Sequence, residues 1–95
     1  MTTEEPPGVS FAGFVISLAT TAAVHFGDYE DPTTGRKETP NLGAAHQMIE
    51  LIAMLQEKTK GNLTPDEAKL VEDLLYELRM RFVQAQQGER RIVEP

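Results

Sequence analysis

Apolar residues recur every three or four positions in three stretches of the chain, and this spacing predicts three α-helices. We expect the helices to span about 11–26, 42–60 and 65–87. No stretch alternates apolar and polar residues over the length of a strand, so the predicted fold class is all-α. The apolar stripes expected to form the core are Phe11, Phe14, Val15, Leu18, Ala22 and Phe26 in the first helix, Ala45, Met48, Ile49, Ile52, Leu55 and Thr59 in the second, and Val71, Leu74, Leu75, Leu78, Phe82 and Ala85 in the third.

Residues that commonly cap helices stand at the expected ends of the first two. Ser10 and Asn41 precede these helices, where a side-chain oxygen can accept a hydrogen bond from a free first-turn amide. Gly27 and Gly61 follow them and suit the left-handed backbone that ends many helices. The boundaries of both helices are therefore well marked in the sequence.

The third helix has the clearest start signal, the run Thr64-Pro65-Asp66-Glu67. Thr64 as the N-cap residue and Glu67 three positions later form a capping box, and proline is favoured at the first helical position. Only residues 61–63 separate this helix from the second one. The two helices are therefore predicted to pack as an antiparallel hairpin.

Gly, Pro and charged residues are frequent in the segments outside the predicted helices. We expect residues 1–9 to form a disordered leader, residues 10–87 a single helical domain, and residues 88–95 a flexible tail. Residues 28–40 should form a polar loop with a turn from Pro32 to Gly35.

The first predicted helix has no formally charged side chain on any side. The residues opposite its core stripe are Gly13, Ser17, Thr20 and Thr21, together with Ile16 and Val24. Three of them, Gly13, Ser17 and Thr21, recur every four residues, a spacing that lets helix backbones approach closely. Sixteen residues extend only about 24 Å, short of the ~30 Å hydrocarbon core of a membrane. We therefore expect this helix to be buried in protein rather than in lipid.

A second, thinner apolar line runs along the third helix, opposite its core stripe. It consists of Tyr76, Met80 and Val83, bordered by the charged residues Lys69, Glu72, Asp73 and Arg79. Scattered surface apolar residues are one interpretation, since these are common in proteins. A docking seam is the other, and the uncharged first helix favours it. Together the two helices predict a homo-oligomer or a tight complex with an unidentified protein partner.

The overall charge is acidic: 15 Asp and Glu residues against 9 Lys and Arg residues give a net charge of -6. Nucleic-acid binding depends on Lys and Arg neutralising phosphates, so no nucleic-acid partner is expected. The chain has no Cys and only 2 His, which excludes a thiolate zinc site and argues against a dedicated metal cage. We predict no metal site and no cofactor.

The remaining candidates for chemistry are two histidines and an acidic loop. His46 and Glu50 lie four residues apart on a polar helix face, an arrangement more typical of a solvated pair than of a catalyst. His25 stands alone near the end of the first helix. Acidic residues at 28, 30 and 31 suggest calcium, but their spacing matches no EF-hand. Phosphate-binding glycine patterns are absent, so we predict no catalytic residues and no enzymatic activity.

Several short runs resemble a known bacterial family. The most specific is Lys58-Thr59-Lys60-Gly61-Asn62-Leu63-Thr64, followed later by Leu78-Arg79. Others are residues 14–27, Asp31-Pro32, Gly35 and Asn41-Leu42. Together they are similar to the family catalogued as domain of unknown function 1844, over about residues 10–84. The resemblance implies a bacterial cytoplasmic protein and no assigned activity.

These observations lead to one main functional hypothesis and two alternatives. The main hypothesis is a protein–protein interaction or scaffold module that self-associates. One alternative is a regulatory factor that binds a component of the translation machinery, since some members of the resembling family are encoded beside translation genes. The other is a peripheral membrane protein that uses the uncharged first helix. Residues 1–9 lack the basic residues of a secretory signal, in keeping with a cytoplasmic location.

Overall fold

The computed structural model describes residues 9–93, with side chains through residue 88. Within these residues are three helices, α1 (Phe11–Phe26), α2 (Leu42–Lys58) and α3 (Pro65–Val93). A small hairpin of β1 (Glu30–Asp31) and β2 (Arg36–Lys37) connects α1 to α2. The all-α fold class is confirmed. The predicted leader lies outside the described residues except for Val9.

Capping interactions explain where the helices begin. The Ser10 hydroxyl oxygen accepts a hydrogen bond from the Gly13 amide at 2.9 Å, and Asn41 Oδ1 accepts one from the Ala44 amide at 3.0 Å. At α3 the Glu67 amide donates to Thr64 Oγ1 at 3.1 Å, while the Thr64 amide donates to Glu67 Oε1 at 2.9 Å. This reciprocal pair is the predicted capping box.

The helix ends agree with the prediction in α1 and differ in α2 and α3. Gly27 ends α1 in a left-handed conformation with φ 84°. α2 ends at Lys58 rather than Lys60, and the Thr59 hydroxyl donates to the Leu55 carbonyl at 2.7 Å in the turn that follows. α3 passes Gln87 and Gly88, the expected start of a flexible tail, and continues to Val93. A glycine inside a helix costs only about 1 kcal/mol relative to alanine, and glutamine favours helix, so Gly88 does not stop α3.

The β-hairpin lies in the segment predicted as a polar loop. Its register places Glu30 opposite Lys37 and Asp31 opposite Arg36, so opposite charges face each other across the strands. The expected turn between Pro32 and Gly35 is present, with Gly35 at φ 72°. The sequence did not predict the strands because two residues are too few to show an alternating pattern.

The core lies among the three helices, and its most buried side chains come from all of them. The core residues are Val15, Ala22 and Phe26 of α1, Ala45, Ile49 and Ile52 of α2, and Val71, Leu75 and Leu78 of α3. All nine belong to the predicted stripes. The shortest extent of the molecule is 16 Å, which accommodates two layers of helix at their usual spacing of about 8–10 Å. A molecule this thin leaves much of each helix at the surface.

Several contacts hold the hairpin and its flanks against the helices. Arg81 of α3 donates two hydrogen bonds to the Asp28 carboxylate, at 2.6 and 2.8 Å, and its guanidinium lies 5.1 Å from the centre of the Phe26 ring. The Asn41 amide donates to the His25 carbonyl at 2.7 Å, which places the start of α2 beside the end of α1. These interactions fix how α1, the hairpin and α3 meet.

Candidate interaction surface

The outward side of α1 is an exposed, uncharged helix face. Gly13, Ser17, Thr20 and Thr21 are all exposed there, as predicted for the side opposite the core stripe. α1 has no Asp, Glu, Lys or Arg, so no formal charge interrupts this side. The net charge of -6 therefore comes from other parts of the chain.

The hydroxyl groups on this side bond back to their own helix. Ser17 donates to the Phe14 carbonyl at 2.7 Å, Thr20 donates to the Ile16 carbonyl at 3.0 Å, and Thr21 donates to the Ser17 carbonyl at 3.0 Å. Burying a hydroxyl without a hydrogen bond would cost about 1–3 kcal/mol. Because these donors already have acceptors, another surface can cover them without leaving a donor unsatisfied.

Two large apolar residues flank the small ones on α1. Phe14 is 50% exposed and Ile16 is 47% exposed. Phe14 was assigned to the buried stripe, and that assignment is wrong because it lies about 100° from the fully buried Val15, at the edge of the core. We call the set of Gly13, Phe14, Ile16, Ser17, Thr20 and Thr21 the α1 face.

Val24 does not belong to the α1 face, although the sequence predicted it there. Its side chain is buried, with 5% exposure. A helical wheel places Val24 opposite Val15, but it takes no account of the chain that follows the helix. At this end of α1 the backbone turns at Gly27 and β1 packs against α1. The last turn of α1 is therefore covered on a side that is open earlier in the helix.

The predicted line on α3 is exposed. Tyr76 is 67% exposed, and Met80 and Val83 are each 45% exposed. Tyr76 and Met80 line a shallow groove of about 370 Å³ between α2 and α3. We call this the α3 groove; its lining residues are Gln56, Glu72, Leu75, Tyr76, Arg79 and Met80. No residue of the α1 face lines it, and Val83 lies outside it, so the exposed predicted residues of α1 and of α3 do not form one surface.

The outer side of α2 adds two exposed apolar residues that were not predicted. Leu51 and Met54 are exposed. Both fall outside the buried α2 stripe on a helical wheel, at about 100° or more from Ile49. Their exposure could have been predicted from the sequence, because apolar residues outside the core stripe of an amphipathic helix face solvent or a partner.

Both histidines have close partners. His46 Nε2 lies 3.4 Å from Glu50 Oε2, the pair expected from their spacing, and its ring centroid is 5.2 Å from that of Phe82. His25 Nδ1 lies 3.3 Å from Glu38 Oε1. His46 thus lies against Phe82 of α3, and His25 lies against Glu38, in the segment between β2 and α2.

The acidic loop considered for calcium places Asp28 beside Arg81. Hydrogen bonds from Arg81 hold the pKa of Asp28 below its ordinary value, with attraction from Arg81 and Lys37 adding to the effect. The Asp28 carboxylate in turn raises the pKa of Arg81. Within residues 9–88, no three His, Cys, Asp or Glu side chains form a group that could hold a metal ion.

Across the part of the chain that the structure describes, no helix combines the length and apolar character needed to cross a bilayer.

Comparison with known proteins gives a family and no function. The family model described as Domain of unknown function (DUF1844) matches residues 8–84. The match includes α1, the hairpin, α2 and most of α3, and it agrees with the resemblance seen in the sequence. No curated protein matches the chain, and no solved structure matches it.

Proposed function

The chain belongs to the domain of unknown function 1844 family, and we propose that it is a non-enzymatic helical interaction module that self-associates through the α1 face. The observation that carries this proposal is an exposed helix side with no charge on an otherwise acidic chain. The proposed partner is a second copy of the same chain.

The absence of charge on the α1 face allows a second copy to be the partner. Two chains that each carry -6 repel each other over most of their surfaces. The α1 face has no carboxylate, so two copies can meet there without placing like charges in contact. Apolar contact between Phe14 and Ile16 of each copy would add a favourable term roughly proportional to the area removed from water.

The small residues of the α1 face allow a close approach. Gly13 and Ser17 lie one turn apart and present little side-chain volume, which suits a helix crossing at short distance. A face that pairs with its own copy forms an isologous interface with a twofold axis. We place this axis near Ser17, between the flanking Phe14 and Ile16 side chains.

Substitution of Ser17 tests the proposal. Ser17→Glu would place a carboxylate from each copy at the interface, and such like-charge contacts cost several kcal/mol, so we expect dissociation constants to rise on the order of a hundredfold. Ser17→Ala keeps the residue small and should preserve assembly. Gly13 is less suitable, because a Cβ there would lie 3.0 Å from the Ser10 Oγ atom that caps α1.

Gln86→Glu is the matched control, because it adds the same charge at an exposed helical position away from the α1 face. Sedimentation velocity would give the dissociation constants, and far-UV circular dichroism would check that each variant keeps its helices. Equal assembly of Ser17→Glu and Gln86→Glu would show that the α1 face is not the interface.

A membrane surface is the alternative occupant of the α1 face, since Phe14 and Ile16 are exposed there. Helices that lie in a membrane interface usually carry Lys or Arg on their polar side, which attracts anionic lipids. α1 carries neither, and the chain is acidic. Flotation with lipid vesicles would distinguish the two occupants, and we expect the protein to stay with the lipid-free fraction.

A further inference from the structure

The α3 groove carries opposite charges at its two ends. Glu72 and Arg79 both line it, two helical turns apart along α3. Tyr76 lies between them along the helix and Met80 follows Arg79. The groove therefore has an acidic end, an apolar middle and a basic end.

We propose that a second copy of this chain docks on the α3 groove, with the two α3 helices antiparallel and Tyr76 next to the twofold axis. This inference rests on the proposal that the chain self-associates, but it uses a different surface from the α1 face. The pairing is specified by the order of charges along α3.

An antiparallel pair matches the charges, and a parallel pair does not. If Tyr76 of one copy lies opposite Tyr76 of the other, residue 80 faces residue 72, and Arg79 faces Asp73 beside Glu72. Each end of the pair then joins Arg79 of one copy to the acidic end of the other. A parallel arrangement would instead place Arg79 against Arg79 and Glu72 against Glu72, which is unfavourable.

The neighbouring charges fit the same register. Asp73 is held by Lys69 on its own helix, at 3.2 Å between Nζ and Oδ2. In the antiparallel pair, Val83 of one copy faces Lys69 of the other, whose long aliphatic stem can cover an apolar neighbour while its amine reaches water. All of the exposed apolar line on α3 is thus covered by one partner.

The size of the surface determines how strong the pairing should be. Stable interfaces usually bury at least about 1,200 Å² in total, and one aromatic with two medium apolar residues per copy supplies only part of that. The α3 pairing should therefore be weaker than a typical obligate interface. If it forms together with the α1 pairing, two different twofold contacts would build assemblies larger than a dimer.

Cysteine cross-linking tests this register directly, because the natural chain has no Cys. Tyr76→Cys places two thiols across the proposed axis, within the separation of under about 7 Å between Cα atoms that a disulfide requires. Met80→Cys places its two thiols about 12 Å apart along the helices, too far to join. Glu77→Cys, on a different side of the same helix, is the matched control.

The measurement is the rate at which disulfide-linked dimers form when the reduced protein is exposed to air, followed on non-reducing gels. We expect Tyr76→Cys to cross-link at least about ten-fold faster than Glu77→Cys, since pairing raises the effective thiol concentration. Met80→Cys alone should react no faster than Glu77→Cys, whereas Met80→Cys mixed with Glu72→Cys should cross-link quickly.

Each outcome separates this inference from the proposed function. Fast linking of Met80→Cys to itself would mean a parallel pair or an antiparallel pair centred on Met80, and either would overturn the proposed register. Equal rates for Tyr76→Cys and Glu77→Cys in a protein that still assembles would refute α3 pairing and leave the α1 face as the interface. A monomeric wild-type protein with equal rates would refute both.

A charge exchange provides a second test that keeps Tyr76 and Met80 in place. Arg79→Glu makes both ends of the groove acidic, and Glu72→Lys with Asp73→Lys makes both ends basic. Each variant alone should lose the α3 pairing, and an equimolar mixture should recover it as a heterodimer. The control is the charge-neutral double variant, Arg79→Gln with Glu72→Gln. The proposal would be contradicted if neither the mixture nor the separate variants paired more strongly than this control.

Discussion

The contact between Arg81 and Asp28 should stabilise the fold by a measurable amount. Arg81 donates two hydrogen bonds to Asp28 and also lies over the Phe26 ring. Both charged side chains are 35% exposed, so the ion pair is worth no more than a good surface pair, about 1 kcal/mol. The cation–π contact adds about 0.5–1 kcal/mol. We expect Arg81→Ala to destabilise the protein by about 1–2 kcal/mol.

A double-mutant cycle isolates the ion pair. Arg81→Ala, Asp28→Ala and the double variant would be unfolded with urea at one fixed protein concentration, because the stability of any self-associating protein depends on its concentration. The expected coupling energy is about 1 kcal/mol in low salt, and it should decrease in high salt. A coupling energy near zero in low salt would show that the ion pair does not stabilise the fold.

The same contact has a defined pH dependence. Arg81 lowers the pKa of Asp28 in the folded protein from its ordinary value of 3.8, so the charged carboxylate is favoured by folding. The stabilisation is fully present above pH 3.8 and is lost as the pH falls through the lower folded-state pKa. Asp28→Asn should therefore reduce stability at neutral pH and approach the wild-type stability in strong acid.

Three further pairs of substitutions test the packing, the turns and the cap of α3. Ile52→Ala, at a fully buried position, should lower the free energy of unfolding by about 2–5 kcal/mol, measured with urea. Leu51→Ala, at the neighbouring exposed position, should lower it by under about 1 kcal/mol. Similar losses for the two variants would contradict the assigned core. Gly27→Ala should destabilise the protein more than Gly35→Ala. Both glycines have positive φ, but only at Gly27 would an added Cβ lie close to another residue, 3.1 Å from Pro40 Cγ. Thr64→Ala removes the N-cap of α3 and should lower the stability of the protein by about 0.5–2 kcal/mol. Glu67→Gln keeps a hydrogen-bond acceptor and should lower it by less. The reverse order would argue against the capping box.

The sequence predicted the helices well because their signals are local. Ser10, Asn41 and Thr64 each interact with a residue three positions along, so their capping roles can be read from short segments. The core stripes depend only on helical periodicity. The end of α3 was wrong because Gly88 is a weak stop signal when no left-handed conformation is required there.

Features that depend on distant parts of the chain were not predictable. Asp28 and Arg81 are 53 residues apart, and no local pattern indicates that they meet. The sequence of α1 alone does not indicate that Val24, on the side opposite the core stripe, is buried. The two candidate surfaces were found as apolar or uncharged patterns, but their separation into the α1 face and the α3 groove required the fold.

We propose that the chain self-associates, first of all through the uncharged α1 face. The most direct measurement is the solution mass by light scattering on detergent-free protein, over about a hundredfold range of concentration. We predict a mass above the 10.5 kDa protomer that rises with concentration to a fixed multiple. A mass equal to that of the protomer at every concentration would contradict the account.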